Sequence, residues 1–259
     1  MSTDDVLRIE SQGRARLLTL NRPAALNAFN DAMYRAFAQA LEAAAASPEV
    51  AVVVVTGEGR AFSAGQDLGE LGDARSHEQR QADGFGPFIA ALEAFPKPLI
   101  AAVNGLGVGI GMTMLPHCDL VLVSEAARLR VPFASLGVTA EAGSSLLLAQ
   151  RMGWQAAAHA LFSGRWVDAD EAVRHGLAYR KLPADRLLEE TMGIAAEIAA
   201  MPVASLTATK KLMLDARLEA TRPARAREDR AFSALLGGPA NREALAAFAE
   251  RRPADFSGL

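Results

Sequence analysis

Three short runs of consecutive apolar residues place the strongest limit on how this chain can fold. Residues 50–56, 99–103 and 120–124 carry almost no polar side chain, and the first of them is mostly valine. Unbroken apolar runs of this length, rather than alternating ones, are typical of strands buried on both faces of a parallel sheet. Helical patterns lie between and after them. We therefore predict an α/β fold whose sheet is covered by helices.

The remaining pattern divides the chain into a mixed core, predicted over residues 1–200, and a helical C-terminal region over 201–259. Asn30 is a candidate N-cap for a helix that presents Met33, Phe37 and Leu41 on one face. We predict further strands within 6–20 around a turn at 12–13, and at 61–65, 128–131 and 177–182. Helices are predicted at 88–95, 143–152, 155–162 and 168–175, and then at 184–200, 203–219, 222–236 and 240–250. The polar residues 66–86 predict a mobile surface loop with some helix.

Composition excludes several classes of function. The 259 residues are 51% hydrophobic, and 27 basic residues face 30 acidic ones, which gives a net charge of −3. Nucleic-acid binding usually needs a basic surplus, so no nucleic-acid partner is expected. Cys118 is the single cysteine, which excludes a disulfide framework, and the four histidines show no ligand-like spacing, so no metal is expected. The acidic N-terminal residues differ from a signal peptide, and we expect a cytoplasmic protein.

The uncharged stretch 98–116 could be mistaken for a membrane span. It contains glycines at 105, 107, 109 and 111, which weaken a helix interior, and prolines at both ends. A buried strand followed by a loop explains it better, so no membrane partner is expected. The same glycines do not fit G-x-G-x-x-G, because Ile110 or Met112 stands where the third glycine would fall.

Two glycine-rich segments are candidate anion sites. Residues 61–68 follow a buried strand and break at Gly65, where free N–H groups could bind an oxyanion; the alternative is a plain turn with Asp67 capping the next helix. Residues 104–111 precede a predicted helix start, whose N–H groups could serve the same purpose; close packing of helix on strand would also select glycine.

Glu141 stands alone between the apolar stretch 131–140 and the apolar helix that follows. An acid there could simply favour the positive end of the helix. Alternatively it is a base in an apolar pocket, where burial would raise its pKa and the helix dipole would lower it. The residues by themselves leave both interpretations open.

Taken in order, the motifs resemble the crotonase (enoyl-CoA hydratase/isomerase) superfamily over essentially the whole chain. They are N-R-P-x-x-L-N-A-F at 21–29, F-S-A-G-Q-D-L at 62–68, K-P-x-I-A-A-V-N-G at 97–105, C-D-L at 118–120, P-F-x-x-L-G at 132–137 and G-R-x-x-D-A-x-E-A-x-x-x-G-L at 164–177. The resemblance implies a spiral of β-β-α units, an acyl-CoA thioester substrate and a homotrimer or dimer of trimers. It implies no separate cofactor, since coenzyme A arrives with the substrate.

The family's oxyanion hole consists of two backbone N–H groups, which by position would be those of Ala64 and Ile110. The resemblance also implies substrate or coenzyme A contacts, with Lys97 and a basic residue on the C-terminal helices near phosphates. The remaining implied contacts are Ala24, Leu26, Ala61, Phe62, Gln66, Asp67, Leu68, Gly109, Phe133 and Leu136.

Within the superfamily, the chain departs from the hydratase pattern. Thr113 and Phe133 stand where hydratases carry their two glutamates. The segment 132–145 resembles instead the peroxisomal-type 3-enoyl to 2-enoyl-CoA isomerases, whose catalytic glutamate aligns with Glu141, although 139–140 lack the proline usual there. We expect such an isomerase. The alternatives are a hydratase or another crotonase-type reaction, and a crotonase-like binding protein without chemistry.

Overall fold

The chain alternates between a six-stranded sheet and a four-stranded sheet. The computed structural model describes residues 6–71 and 84–259, so most of the loop predicted at 66–86 lies outside the described residues. In the order of the larger sheet the strands are β1 (Leu7–Gln12), β2 (Ala15–Leu20), β3 (Val52–Gly57), β5 (Leu99–Val103), β7 (Leu120–Ser124) and β10 (Arg180–Leu182). The smaller sheet contains β4 (Ala61–Ser63), β6 (Leu106–Val108), β8 (Arg128–Arg130) and β9 (Val167–Asp168). After β1 and β2, which both lie in the larger sheet, each turn of the resulting spiral adds one strand to each sheet.

The three apolar runs are confirmed as the parallel centre of the larger sheet. β3 pairs with β2 and β5 in parallel, and β5 pairs with β7 in parallel. Successive valines of β3 enter two different cores: Val53 and Val55 pack in the larger one, and Val52 and Val54 in the other. Both faces of the strand are therefore apolar because side chains alternate across a sheet that is covered on both sides.

Helices cover both sheets. They are α1 (Asp31–Ala46), α2 (Leu68–Leu71), α3 (Phe85–Ala94), α4 (Ile110–Thr113), α5 (Ser144–Met152), α6 (Trp154–Ser163), α7 (Ala169–Arg174), α8 (Leu187–Ala199), α9 (Val203–Leu235) and α10 (Pro239–Ala249). The predicted cap of α1 is confirmed, because the Asn30 Oδ1 atom accepts the Met33 N–H at 3.0 Å.

One helix boundary was predicted wrongly. The sequence suggested a break between 219 and 222, but α9 runs unbroken over 33 residues with Pro223 inside it. A proline removes one backbone hydrogen bond and crowds the preceding turn. The packing of Leu214, Thr221 and Ala224 against the rest of the chain outweighs that cost.

The uncharged stretch 98–116 forms β5, β6 and α4, and almost all of it is buried inside the molecule. Within the described residues, no single helix has the length and apolar character to cross a membrane, although α8 and α9, which are bent by 104° relative to each other, pass that test as a pair.

Tight corners connect the two sheets and set the position of the loops beyond them. The Asn104 side chain accepts the Gly57 N–H at 3.1 Å and donates to the Gly59 carbonyl at 2.8 Å. Next to it, a Cβ atom on Gly105 would lie 2.1 Å from the Arg60 carbonyl oxygen. The backbone of the turn after β5 is therefore in direct contact with the backbone of the turn after β3.

We predict that Gly105→Ala lowers the free energy of unfolding by about 1–3 kcal/mol or more, because backbone atoms must move to admit the methyl group. The matched control is Gly193→Ala within α8, where no atom lies within 4 Å of the added Cβ. That change should raise the stability by about 0.5–1 kcal/mol through helix propensity. Urea unfolding of both variants measures the two effects, and equal stabilities would contradict the close contact.

Candidate active site

A cavity of about 790 Å³ opens beside the ends of the smaller sheet. Its wall combines loops from the core with α9, α10 and the residues after α10. Seven residues predicted from the sequence line it: Ala64, Gln66, Gly109, Ile110, Phe133, Leu136 and Glu141. The fold thus brings four separate segments of the chain to one place.

Two loops meet at the bottom of this cavity. Gly65, after β4, has a φ of +97°, and Gly109, before α4, has a φ of +53°, so both adopt conformations that favour glycine. A Cβ atom on Gly65 would lie 2.9 Å from the Val108 carbonyl oxygen. The residues that follow each glycine, Gln66 and Ile110, therefore lie on adjacent stretches of backbone.

The Ile110 N–H is a candidate donor at this place. Ile110 is the first residue of α4, so its N–H has no carbonyl one turn earlier to bind. Among the described residues it has no acceptor, and it lines the cavity. The N–H groups at a helix start favour negative charge, which suits an oxyanion.

The structure contradicts Ala64 as the second donor. The Ala64 N–H donates to the Leu26 carbonyl at 2.9 Å and is thereby occupied. Two residues later, Gln66 pairs with Phe29 as a parallel bridge, in which Gly65 and Asp67 make the hydrogen bonds. In such a bridge the N–H of the middle residue, here Gln66, points away from the partner strand segment at Phe29. The Gln66 N–H has no acceptor among the described residues, and Gln66 lines the cavity, so it is the candidate second donor in place of Ala64.

The other predicted substrate or coenzyme A contacts lie around the end of β4 but outside the cavity wall. Ala61 and Phe62 are buried in β4, while Ala24 and Leu26 lie at the surface beside it. Asp67 binds Arg22 at 2.8 Å. Leu68 begins α2, and its side chain lies outside the described part of the structure. Their contact with coenzyme A stays a prediction.

Lys97 does not fit the predicted contact with phosphate. Its ammonium group is buried and donates to the Ala44 carbonyl at 2.7 Å and the Ser47 carbonyl at 2.6 Å. It therefore satisfies carbonyls at the C-terminal end of α1, where a positive charge is favourable.

Glu141 lies on the loop that leads into α5. The next residue, Ala142, has a φ of +59°, which is strained for a residue with a side chain. The His117 Nε2 atom lies 2.8 Å from the Ala142 carbonyl and holds the loop in that shape. Burial lowers the pKa of His117 to about 4, so this imidazole is neutral and donates its Nε2 proton.

The surroundings of Glu141 make its carboxyl an unusually strong base. Burial raises its pKa to about 8, the negative charges of Glu228 and Asp229 add to the rise, and the Thr113 hydroxyl opposes it. The exposed part of the side chain faces the cavity. Below pH 8 the group is mostly protonated, and above pH 8 it is mostly a carboxylate.

The wall around Glu141 is apolar where hydratases would need acids. Phe133 is almost fully buried and contributes only its ring. The Thr113 hydroxyl is buried and makes no well-formed hydrogen bond among the described residues. Leu136, Val138 and Phe232 complete this side of the cavity. These apolar side chains offer water no hydrogen-bonding partner on this side of the cavity.

Other reactive side chains lie away from this chemistry. Burial raises the pKa of the Cys118 thiol to about 12, so it is not a nucleophile. In residues 6–71 and 84–259, no three His, Cys, Asp or Glu side chains group as metal ligands.

The β-β-α spiral agrees with comparisons to known proteins. The model of the enoyl-CoA hydratase/isomerase family matches residues 10–258. The chain belongs to the enoyl-CoA hydratase/isomerase family. A crystal structure of a family member from Pseudoalteromonas atlantica superposes with a TM-score of 0.92 at 34% identity, covering 97% of this chain and 100% of that one. The predicted crotonase-type fold is confirmed.

Most of the named relatives are hydratases, and an isomerase is among them. The 2,3-dehydroadipyl-CoA hydratase of Escherichia coli is 35% identical over 252 residues, which are 97% of this chain and 98% of that protein. The 1,2-epoxyphenylacetyl-CoA isomerase of Escherichia coli is 30% identical over 247 residues, which are 93% and 94%. The family is thus shown, but the narrower resemblance to peroxisomal-type isomerases is not reflected in these names.

We predict that Glu141→Gln is more stable than the wild-type protein at alkaline pH. Because the folded state raises the pKa of Glu141, it favours the protonated form, and stability is lost as the pH rises from about 4.5 to about 8. The amide does not ionise. The advantage of the variant should reach about 1–3 kcal/mol above pH 8, since a pKa unit is worth about 1.4 kcal/mol and the carboxyl is partly solvated.

The check is chemical denaturation of both proteins at pH 4.5 and pH 8.5. A difference in stability that does not change between these pH values would show that the carboxyl is not desolvated.

Proposed function

We propose that this protein isomerises a 3-enoyl-CoA to the 2-enoyl-CoA, with Glu141 as the base and then the acid. The observation that carries the proposal is a carboxyl of raised pKa on an apolar wall, next to the helix whose first N–H is free. Thr113 connects the two, because it lies one turn after Ile110 in α4 and faces Glu141.

The first step breaks the Cα–H bond of the thioester. The Glu141 carboxylate takes the proton, and the electron pair moves into the carbonyl, which becomes an enolate oxygen conjugated with the 3,4 double bond. The N–H groups of Gln66 and Ile110 stabilise the charge that develops on that oxygen. Because these donors are fixed by the fold, they need no rearrangement during the reaction.

The second step returns the same proton to the γ-carbon. The dienolate carries negative charge at Cα and Cγ, and protonation at Cγ forms the 2,3 double bond and restores the carbonyl. One carboxyl serves both steps if water does not exchange with it meanwhile. The apolar side chains of Phe133, Leu136 and Val138 favour this retention.

Hydration of a 2-enoyl-CoA is the second candidate, and the names of several relatives favour it. It needs a positioned water at Cβ and a proton for Cα, which suits two acid/base groups. Here the Thr113 hydroxyl, which faces Glu141 but makes no well-formed hydrogen bond among the described residues, would have to hold the water beside that carboxyl. The apolar Phe133 gives that water no second contact.

The acyl-CoA substrate is implied by the family, and we propose a homotrimer or a dimer of trimers as its assembly. On α9 the side chains of Leu212 and Met213 are 73% and 62% exposed. Burial of such adjacent apolar side chains between subunits would stabilise an oligomer.

We predict that the purified protein converts a 3-enoyl-CoA to the conjugated 2-enoyl-CoA and forms little 3-hydroxyacyl-CoA from a 2-enoyl-CoA. Absorbance of the conjugated thioester and chromatography of the products measure the two reactions. Rapid formation of 3-hydroxyacyl-CoA would favour the hydratase. Binding of acyl-CoA without turnover in either assay would favour a binding protein.

We predict further that the isomerase rate rises with pH and levels off above about pH 8, since the base must be ionised. Glu141→Gln should reduce the rate by about 1,000-fold or more, within the range for loss of a general base. Thr113→Val, which removes only the hydroxyl, should retain most isomerase activity. A variant at 141 with full turnover would disprove the assignment.

A further inference from the structure

A buried glutamate on α9 holds the loop that carries Glu141. Glu228, on α9, is only 5% exposed. Its carboxylate accepts the Gly143 N–H at 2.6 Å and the Ser145 N–H at 2.7 Å. These two donors belong to the start of α5, two and four residues after the proposed base.

The start of α5 depends on this distant residue because its own sequence provides no cap. Gly143 occupies the N-cap position and has no side chain that could accept a hydrogen bond. The neighbouring Ser144 hydroxyl is buried without a partner among the described residues. The cap is supplied instead from 85 residues further along the chain.

Removing a carboxylate from water costs free energy, and the hydrogen bonds from the two N–H groups offset that cost for Glu228. Burial raises the pKa of Glu228, while the hydrogen bonds from Ser145 and Gly143 lower it. Charge-assisted bonds of this kind are strong, and the positive end of α5 adds to them. The loop and α9 are thereby locked together at the edge of the cavity.

We propose that Glu228 is a positioning residue for Glu141, which fixes the loop from 141 to 145 so that the Glu141 carboxyl faces the cavity. This inference rests on the proposed function for its kinetic part. Glu228 does not line the cavity, so it acts through the loop rather than on the substrate.

The charge of Glu228 has a second effect on the base. It is the largest charge that raises the pKa of Glu141, followed by Asp229 on the same helix. Thr113 on α4 faces Glu141 and lowers its pKa. Tyr34 on α1 also interacts with Glu141: burial raises the pKa of Tyr34 most, and the negative charge of Glu141 raises it further. His117 below the loop is neutral.

The experiment compares Glu228→Gln and Glu228→Asp with the matched control Glu219→Gln, an exposed glutamate on the same helix. Glutamine removes the charge and can accept only one of the two N–H groups. Aspartate keeps the charge but is too short to reach both. Circular dichroism and thermal melting first establish that each variant is folded.

In Glu228→Gln we expect kcat to fall about 10–100-fold with little change in KM, as expected when a base is misplaced by about 1 Å. In the pH profile of kcat, the midpoint of the acid limb should move to lower pH by about one unit, because a negative charge near Glu141 is lost. Glu228→Asp should lose kcat comparably but keep the wild-type midpoint. Glu219→Gln should match the wild type in both.

A measurement that needs no reaction separates this proposal from the proposed function. The Glu141 carboxyl is titrated by ¹³C NMR in glutamate-labelled protein, with Glu141→Gln for assignment. If no isomerase activity exists in any variant, a downward shift of the midpoint in Glu228→Gln still supports the link between the two residues. A folded Glu228→Gln variant with the wild-type midpoint, or with the wild-type kcat in an active enzyme, overturns the proposal. If Glu228→Gln does not fold, Glu228→Asp decides by its kcat alone.

Discussion

The close contact between the backbone at Gly65 and the backbone at Val108 and Gly109 is the constraint on which the site depends. A single added carbon at Gly65 would lie 2.9 Å from a carbonyl oxygen, so the loops after β4 and β6 touch without side chains between them. Only this approach places the N–H groups of Gln66 and Ile110 on adjacent backbone. The parallel pairing of β4 with β6 fixes the relative positions of the two loops that follow these strands.

Glu141 shows how an unfavourable environment is maintained. An ionisable group on an apolar wall opposes its own ionisation, and the strained Ala142 beside it adds to the cost. Contacts from other parts of the chain hold the loop in place: His117 binds the Ala142 carbonyl and Glu228 binds the next N–H groups. The stability of the surrounding core therefore maintains a carboxyl of raised pKa on a loop that would relax in isolation.

Sequence patterns predicted what depends on local rules. The central strands could be predicted because unbroken apolar runs are needed where both faces of a strand are buried. The start of α1 could be predicted because the Asn30 side chain caps it. Predictions failed where the partner is distant in sequence. The prediction of Ala64 as an oxyanion donor was wrong because its N–H donates to the Leu26 carbonyl. The prediction that Lys97 contacts phosphate was wrong because its ammonium group donates to two carbonyls at the end of α1. Nothing in the spacing of residues reveals such pairings, and Glu228 was missed for the same reason.

The placement of α9 and α10 over the cavity has a consequence for biosynthesis. Residues of the core loops come early in translation, but Glu228 follows Gly143 by 85 residues, and Phe248 follows later still. A nascent chain that has released its two sheets from the ribosome therefore has an open, uncapped loop at α5 and no wall on one side of the cavity. The complete cavity would therefore form only after α9 and α10 have docked on the two sheets.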